Sequence, residues 1–412
     1  MMVQKSGDRA VIETSLYFAA LILNIFLGWL VTKLNTTYLD LVAYGRYSFF
    51  IIILFFSRSF FGFGLFESAS HLLAVSPDAA ERKKILGSGV LFSAAFSIIY
   101  TVFFLLLAIF SDRFFEIKIG DLCLHFALWV GLILMHSYYV LALRGTGHIE
   151  LLSLLTVLPR IFYLGLLVLI ILLDQFNLIQ SLNMFFISFA VSLFWITVYI
   201  RPSFKLFKNS ASGLWNDLKS YGVHLYLSNI WNEILFHGDK FIISFFLPAQ
   251  SLAYYYLGYA LTFPLSHFSS ALATSMFNRF AVQNRIDFRV IKINIIFVVS
   301  SVCIFIFMRR FIILNLFSAE YLPTVDIMLP LALAFGFSSI SKPFALFLMA
   351  RGAGKTVRNI SMIIPTLNII LGLLIIPRYE IMGAAWTLVV VYFCDLFLFW
   401  LTYRKITGVK PI

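Results

Sequence analysis

A chain of 412 residues that is 61% hydrophobic and only 12% charged, with a mean hydropathy of +0.95, has too few ionisable groups to cover a water-soluble fold. It reads instead as a polytopic membrane protein, and its apolar runs lack the alternating polarity of barrel strands, which leaves helices as the spanning element. The net charge of +12 lies mainly in the connections between apolar runs, a placement that reports membrane topology and excludes nucleic acid as the reason for it.

The first run, 11–32, is long enough to span and lacks a small-residue cleavage site, so it is expected as a retained helix. Further spans follow near 47–66, 86–110, 122–143, 149–172, 182–200, 220–238, 253–276, 291–308, 325–349, 359–376 and 381–402. An even count of twelve places both termini on one side. The connections on that side hold twenty basic residues, among them Arg82, Lys83, Lys84, Arg201, Lys205, Lys208, Arg351, Lys355, Arg404 and Lys410, and outweigh the eight on the other, Lys33, Arg46, Arg113, Lys118, Lys240, Arg309, Arg310 and Arg378, of which the Arg309-Arg310 pair is the one local violation. The positive-inside rule makes the first side, with both termini, cytoplasmic. The basic connection 201–219 falls where the halves meet, which predicts a six-helix bundle over 1–200, a cytoplasmic linker over 201–219 and a second bundle over 220–412. No loop has room for a soluble catalytic domain, so the chain is not expected to be an enzyme. Cys123, Cys303 and Cys394 lie in apolar runs without metal-ligand spacing and are expected as inert core residues; no metal and no cofactor is implied.

The two halves repeat one another. Arg144-Gly145-Thr146-Gly147-His148 and Arg351-Gly352-Ala353-Gly354-Lys355 each follow an apolar run, and Gly145 and Gly352 are 207 residues apart. Glu67-Ser68 matches Thr274-Ser275 at the same offset, and Tyr44-Gly45-Arg46-Tyr47 matches Leu252-Ala253-Tyr254-Tyr255 at 208. Because six is even, the halves share an orientation. The predicted fold is all-α, with twelve transmembrane helices as two six-helix bundles related by a pseudo-two-fold along the membrane normal, and a central cleft.

On these residues the chain resembles a known family. Tyr44-Gly45-x-Tyr47-Ser48, Gly62-x-Gly64-Leu65, Gly238-Asp239-Lys240-Phe241-Ile242-Ile243, the Arg351-Gly352-x-Gly354-Lys355 turn and Ile376-Pro377 followed by Met382-Gly383-Ala384-Ala385 are similar to Wzx-type flippases of polysaccharide repeat units. These belong to the multidrug, oligosaccharidyl-lipid and polysaccharide exporter superfamily. Ala253 and Glu380 depart from the pattern. The resemblance implies a flippase of the bacterial inner membrane, moving an undecaprenyl-diphosphate-linked oligosaccharide, an O-antigen or related repeat unit, from the cytoplasmic to the outer leaflet by alternating access. It also implies membrane lipids as partners, with a polysaccharide polymerase and chain-length proteins as further ones.

Ionisable residues inside spans cost several kcal/mol or so unless they meet a partner or a wet cavity. The cations are Arg58, Arg160 and Lys342; Arg58 and Lys342 are each expected roughly 13 Å from a helix end, at 1.5 Å per residue. At the repeat offset they face Leu265, Leu367 and Met135, so they break the scaffold's symmetry. That asymmetry predicts a site for an anion, with the substrate's diphosphate as the group that arginine's paired donors suit. The plainer alternative is an interhelical ion pair with Asp395, Glu233 or Asp239. Glu233, Asp395 and Asp239 are candidate ion-coupling carboxylates, or else structural partners, and Asp239-Lys240 also reads as an interface pair at an outer helix end. His267 is assigned to the substrate site, with a hydrogen-bonded core role as its alternative, as for His136. Pro159, Pro264, Pro330, Pro343 and Pro365 are expected to kink their helices.

Gly354-Lys355-Thr356 ends like a phosphate-binding loop, but Met349 stands where its first glycine belongs, which leaves nucleotide hydrolysis unsupported. Two rivals stay open: an ion-coupled multidrug or small-molecule exporter of the same superfamily, and a membrane polysaccharide polymerase, which would carry a long outer loop.

Overall fold

The computed structural model describes residues 2–76, 78–204, 213–215 and 217–408. Of the expected connection 201–219, residues 205–212 and 216 lie outside the described residues, as do Lys205, Lys208 and Lys410. The described residues are helical and contain no strand. With no water to satisfy backbone groups in hydrocarbon, helices are the form an apolar chain takes there.

The chain divides into two compact units. The first comprises Met1–Phe114 and Lys118–Ile230, the second Phe115–Ile117 and Trp231–Ile412. In the first, α1 (Met2–Tyr38), α2 (Leu41–Ser57), α3 (Leu65–Val75) and α4 (Ala79–Phe114) are followed by α5 (Gly120–Phe126), α6 (Gly131–Thr146), α7 (Ile149–Leu172) and α8 (Leu178–Ile200). Helix α9 (Val223–Phe246) passes from the first unit into the second. There follow α10 (Ala249–Thr262), α11 (His267–Ser275), α12 (Phe277–Val282), α13 (Phe288–Leu316), α14 (Pro323–Ala350) and α15 (Gly354–Thr407).

Among the described residues eight helices are long and apolar enough to span, and nine when α5 and α6 are taken as one bent span. Helix α15 holds two of the expected spans, separated at Glu380, whose backbone is left-handed at φ 52°, ψ −140°. The two remaining expected spans are α9, which carries Glu233, Asp239 and Lys240, and the run from α10 to α11. The twelve expected spans are thus each matched by helix, and a two-bundle arrangement fits.

Two of three interruptions were not expected, while the third falls at Pro264, where a kink was. Helix α2 gives way to a 3₁₀ turn at Arg58–Phe60 before α3 resumes, and α10 does the same at Phe263–Ser266 before α11. Residue 58 plus the repeat offset of 207 is 265, so both halves break the second span at the same place. Pro264 sits in the second break, whereas the first has no proline. Helices α5 and α6 meet at a 67° bend, again without proline. At the bend Gly131 lies against Ser97 of α4, whose hydroxyl donates to the Gly131 carbonyl at 3.1 Å. Conversely, α7, α14 and α15 run on as helix through Pro159, Pro330, Pro343 and Pro365.

The repeated Arg-Gly-x-Gly turn is used differently in each half. After α6 the left-handed residue is the second glycine, Gly147 at φ 72°, while Gly145 stays helical with no room for a Cβ against the Ser70 carbonyl of α3. After α14 it is the first glycine, Gly352 at φ 79°. In each case the chain closes with a backbone bond typical of a helix C-terminus, His148 to Leu143 at 3.2 Å and Ala353 to Leu348 at 2.9 Å.

The first unit is built on aromatic packing, with Phe50 against Phe104, Phe126 and Phe186. A buried polar chain ties four of its helices: Ser181 donates to Asn35 at 2.6 Å, and Tyr163 lies 2.8 Å from Ser181 and 3.2 Å from Tyr47. The second unit's core gathers Phe280, Phe344, Phe347, Val391 and Tyr403. Of the cysteines only Cys123 is buried. Cys303, expected in the core, is exposed on α13.

Candidate transport site

Arg58 occupies the break between α2 and α3, with 17 residues back to Leu41 and 17 on to Val75. It is farther from a helix end than expected, because α3 extends the span. Two protein groups engage its guanidinium: Nε donates to the Phe55 carbonyl at 3.1 Å, and Nη1 donates to Ser137 Oγ of α6 at 2.8 Å. The Phe55 ring lies below it, 5.0 Å from the guanidinium carbon. It is half-buried, and no carboxylate makes an ion pair with it among the described residues.

Arg160 serves a different contact. Its Nη1 donates to the Asn24 carbonyl of α1, and its guanidinium fills the space a side chain would occupy at Gly28. A helical carbonyl is open to such a donor when the next helix comes close, and the absence of a Cβ at Gly28 permits that approach. Arg160 therefore joins α7 to α1.

In the second unit Lys342 is half-buried on α14, eight residues before its last residue Ala350, about 12 Å along the axis. Asp395 and His267 are within its electrostatic range, yet it forms no ion pair among the described residues. Asp395 is held by Ser341, whose hydroxyl lies 2.7 Å from Oδ2. His267 opens α11 and sets its ring edge-on to Phe263, with centroids 5.0 Å apart. Lys342, His267 and Asp395 thus come together, as a cation beside a carboxylate that already has a partner.

Asp239 and Lys240 form a separate cluster. Expected at an outer helix end, both are 2% exposed, in the interior of the second unit. The ammonium stands 3.0 Å from Asp239 Oδ1, donates to the Phe236 carbonyl at 2.6 Å, and lies 3.5 Å over the Tyr259 ring. Tyr255 donates to Asp239 Oδ2 at 2.5 Å. Charges removed from water this completely need such full coordination. Glu233 lies nearly two turns earlier, 3.4 Å from His237.

Several polar partners carried no sequence signal. Ser137 and Ser341 are hydroxyls among many in apolar helices, and only packing shows which of them meets a charge. Asn368 on α15 is fully buried beside Gly238, and neither end of its amide has a hydrogen-bond partner among the described residues. In the first unit Glu67 accepts from Asn229 at 2.9 Å, a contact 162 residues apart. No group of three metal-ligating side chains occurs among the described residues.

The sequence pattern of the family described as "Polysaccharide biosynthesis protein" matches residues 11–282, well over half of the chain. The chain belongs to this family. No curated protein sequence matches it. Solved structures share its fold. An inward-facing multidrug resistance MATE family transporter of the MOP superfamily superposes with a TM-score of 0.76 at 12% identity, covering 97% of this chain and 98% of that one. Lipid II flippase MurJ in an inward closed conformation gives 0.70 at 17% identity, covering 95% and 90%. The D35N mutant of the Vibrio cholerae MATE transporter VcmN gives 0.61 at 14%, covering 97% and 98%. At these identities the likeness establishes fold, and family and fold together uphold the resemblance to Wzx-type flippases. The chain is a multi-pass membrane protein.

Proposed function

We propose that the protein is a flippase that moves an undecaprenyl-diphosphate-linked oligosaccharide, an O-antigen or related surface polysaccharide repeat unit, to the outer leaflet of the bacterial inner membrane by alternating access. The supporting observation is that Arg58 and Lys342, deep in their spans, form no ion pair with a carboxylate among the described residues. A buried cation without an acid is costly unless an anion visits it, and the diphosphate is the anion such a cargo carries. In this reading both termini are cytoplasmic, the chain performs no catalysis, and a polymerase and chain-length proteins take up the product. Arg160, bonded to the backbone of α1, has a smaller share in binding.

The test is complementation of a strain lacking the gene, with Arg58→Gln and Lys342→Met compared at matched protein level. Loss of surface polysaccharide in both supports the proposal; normal polysaccharide in both removes it. An ion-coupled multidrug exporter is the second reading, since MATE transporters are among the proteins that share the fold. Against it, Asp239 is paired with Lys240 and bonded by Tyr255, which leaves that acid poorly placed to meet a cationic cargo.

A further inference from the structure

Within the second unit, α13, α14 and the last part of α15 enclose a groove of about 1360 Å³ to which the transport reading assigns no role. One wall is an aromatic stripe along α15. Phe393 stacks on Phe397 with centroids 6.4 Å apart, and Phe397 packs on Trp400 at 6.2 Å. The steps of four and three residues keep all three on one helical face. The stripe ends at Arg404, whose guanidinium carbon stands 4.7 Å over the Trp400 ring. Ile291 and Ile295 of α13 face it across the groove, and Phe344 of α14 contributes to the lining.

The same end carries a second arginine. The backbone N–H of Ile286 donates to Tyr403 Oη at 3.1 Å, which brings the 283–287 connection, with exposed Arg285, to the rim beside Arg404. Asp287, the acid of this connection, is occupied in capping α13, where it accepts from the Arg289 N–H at 2.8 Å. The groove is therefore apolar along its length, aromatic near its mouth and cationic at its rim. That sequence of chemistries matches a lipid from chain to interface to phosphate.

We propose that this groove binds one anionic phospholipid, with its phosphate held by Arg285 and Arg404 and an acyl chain laid along Phe393, Phe397 and Trp400. The site lies within one unit and stands independently of the cargo assigned above. Charge complementarity identifies the occupant: two arginines at the rim favour a lipid of net negative charge over a zwitterionic one of equal chain length, by roughly tenfold or more.

Native mass spectrometry of the full-length protein, titrated with phosphatidylglycerol, chain-matched phosphatidylethanolamine and a polyprenyl phosphate, tests this. The wild type should retain one phosphatidylglycerol in preference to the other two. The double variant Arg285→Ala/Arg404→Ala should lose that preference by roughly tenfold, and Ile295→Trp, which fills the groove and leaves both arginines, should lose retention of both phospholipids. Unchanged phosphatidylglycerol binding in the double variant overturns the proposal, as does a wild-type preference for phosphatidylethanolamine or for the polyprenyl phosphate. Should Ile295→Trp fail to fold, the double variant and the wild-type competition decide alone.

Discussion

Ser341 lies 2.7 Å from Asp395, one residue before Lys342, so the deep carboxylate of the last span is held by a hydroxyl and not by the neighbouring ammonium. The two roles at this point of α14 are therefore separable. Lys342→Met should leave the Ser341–Asp395 bond intact and change stability by less than about 1 kcal/mol. It should nonetheless abolish surface polysaccharide, and Lys342→Arg should preserve it. Ser341→Ala should do the opposite, costing about 1–3 kcal/mol by stripping a buried acid of its partner. Thermal melting in detergent, read beside a polysaccharide gel, separates the two; a large melting loss in Lys342→Met would place that lysine in the scaffold.

Arg58 is positioned chiefly by Ser137, which reaches it from α6. If the guanidinium is the group that meets the anion, Ser137→Ala should weaken export without removing it, because Nε keeps the Phe55 carbonyl and the charge remains. Arg58→Gln should remove it, and Arg58→Lys should recover only part, since an ammonium lacks the paired donors. Initial rates of repeat-unit delivery at matched protein level check the order wild type, Ser137→Ala, Arg58→Lys, Arg58→Gln. Equal rates for wild type and Arg58→Gln would contradict it.

The Asp239–Lys240 pair tests another kind of dependence. Each ion is buried against the other, so removing one leaves an uncompensated charge, and Asp239→Asn or Lys240→Met should each cost about 3–5 kcal/mol. The double variant Asp239→Asn/Lys240→Met should regain much of that loss. Folded yield and melting temperature in detergent give the coupling. If the double variant is as unstable as the sum of the single ones, the pair contributes nothing as a pair.

These contacts mark the boundary of what could be read before folding. Spans were legible because lipid leaves each apolar run only one way to satisfy its backbone, and the depth of Arg58 and Lys342 followed from their place within those runs. The breaks at Arg58–Phe60 and at the α5–α6 bend were hidden, because neither contains proline, and each meets a neighbouring helix that the sequence does not reveal, through Ser137 on α6 for one and Ser97 on α4 for the other. Which charges pair was hidden for the same reason. Asp239 and Lys240 sit beside Phe241 and near the helix end, and only the rings of Tyr255 and Tyr259 folding over them make the pair internal. The connection that carries Arg285 is likewise tied in place through Ile286 by a tyrosine 117 residues further on, Tyr403.

Gly64 offers a test of the break itself. It begins α3 with φ 79°, a left-handed conformation that glycine adopts freely and other residues resist. A Cβ there would lie 2.7 Å from the Gly222 carbonyl oxygen, so the two backbones touch where side chains would hold them apart. Gly64→Ala thus meets both backbone strain and a clash with a main-chain atom that cannot rotate away, and should lower stability by about 1–3 kcal/mol. Gly62→Ala, two residues earlier, meets only the edge of the Phe66 ring at 3.4 Å and should be nearly silent. Because α3 continues the span that holds Arg58, the Gly64 variant should also lose export at temperatures where it remains folded, while Gly62→Ala keeps it. Melting curves and polysaccharide export for the two variants side by side check this, and equal behaviour would remove the special role of position 64.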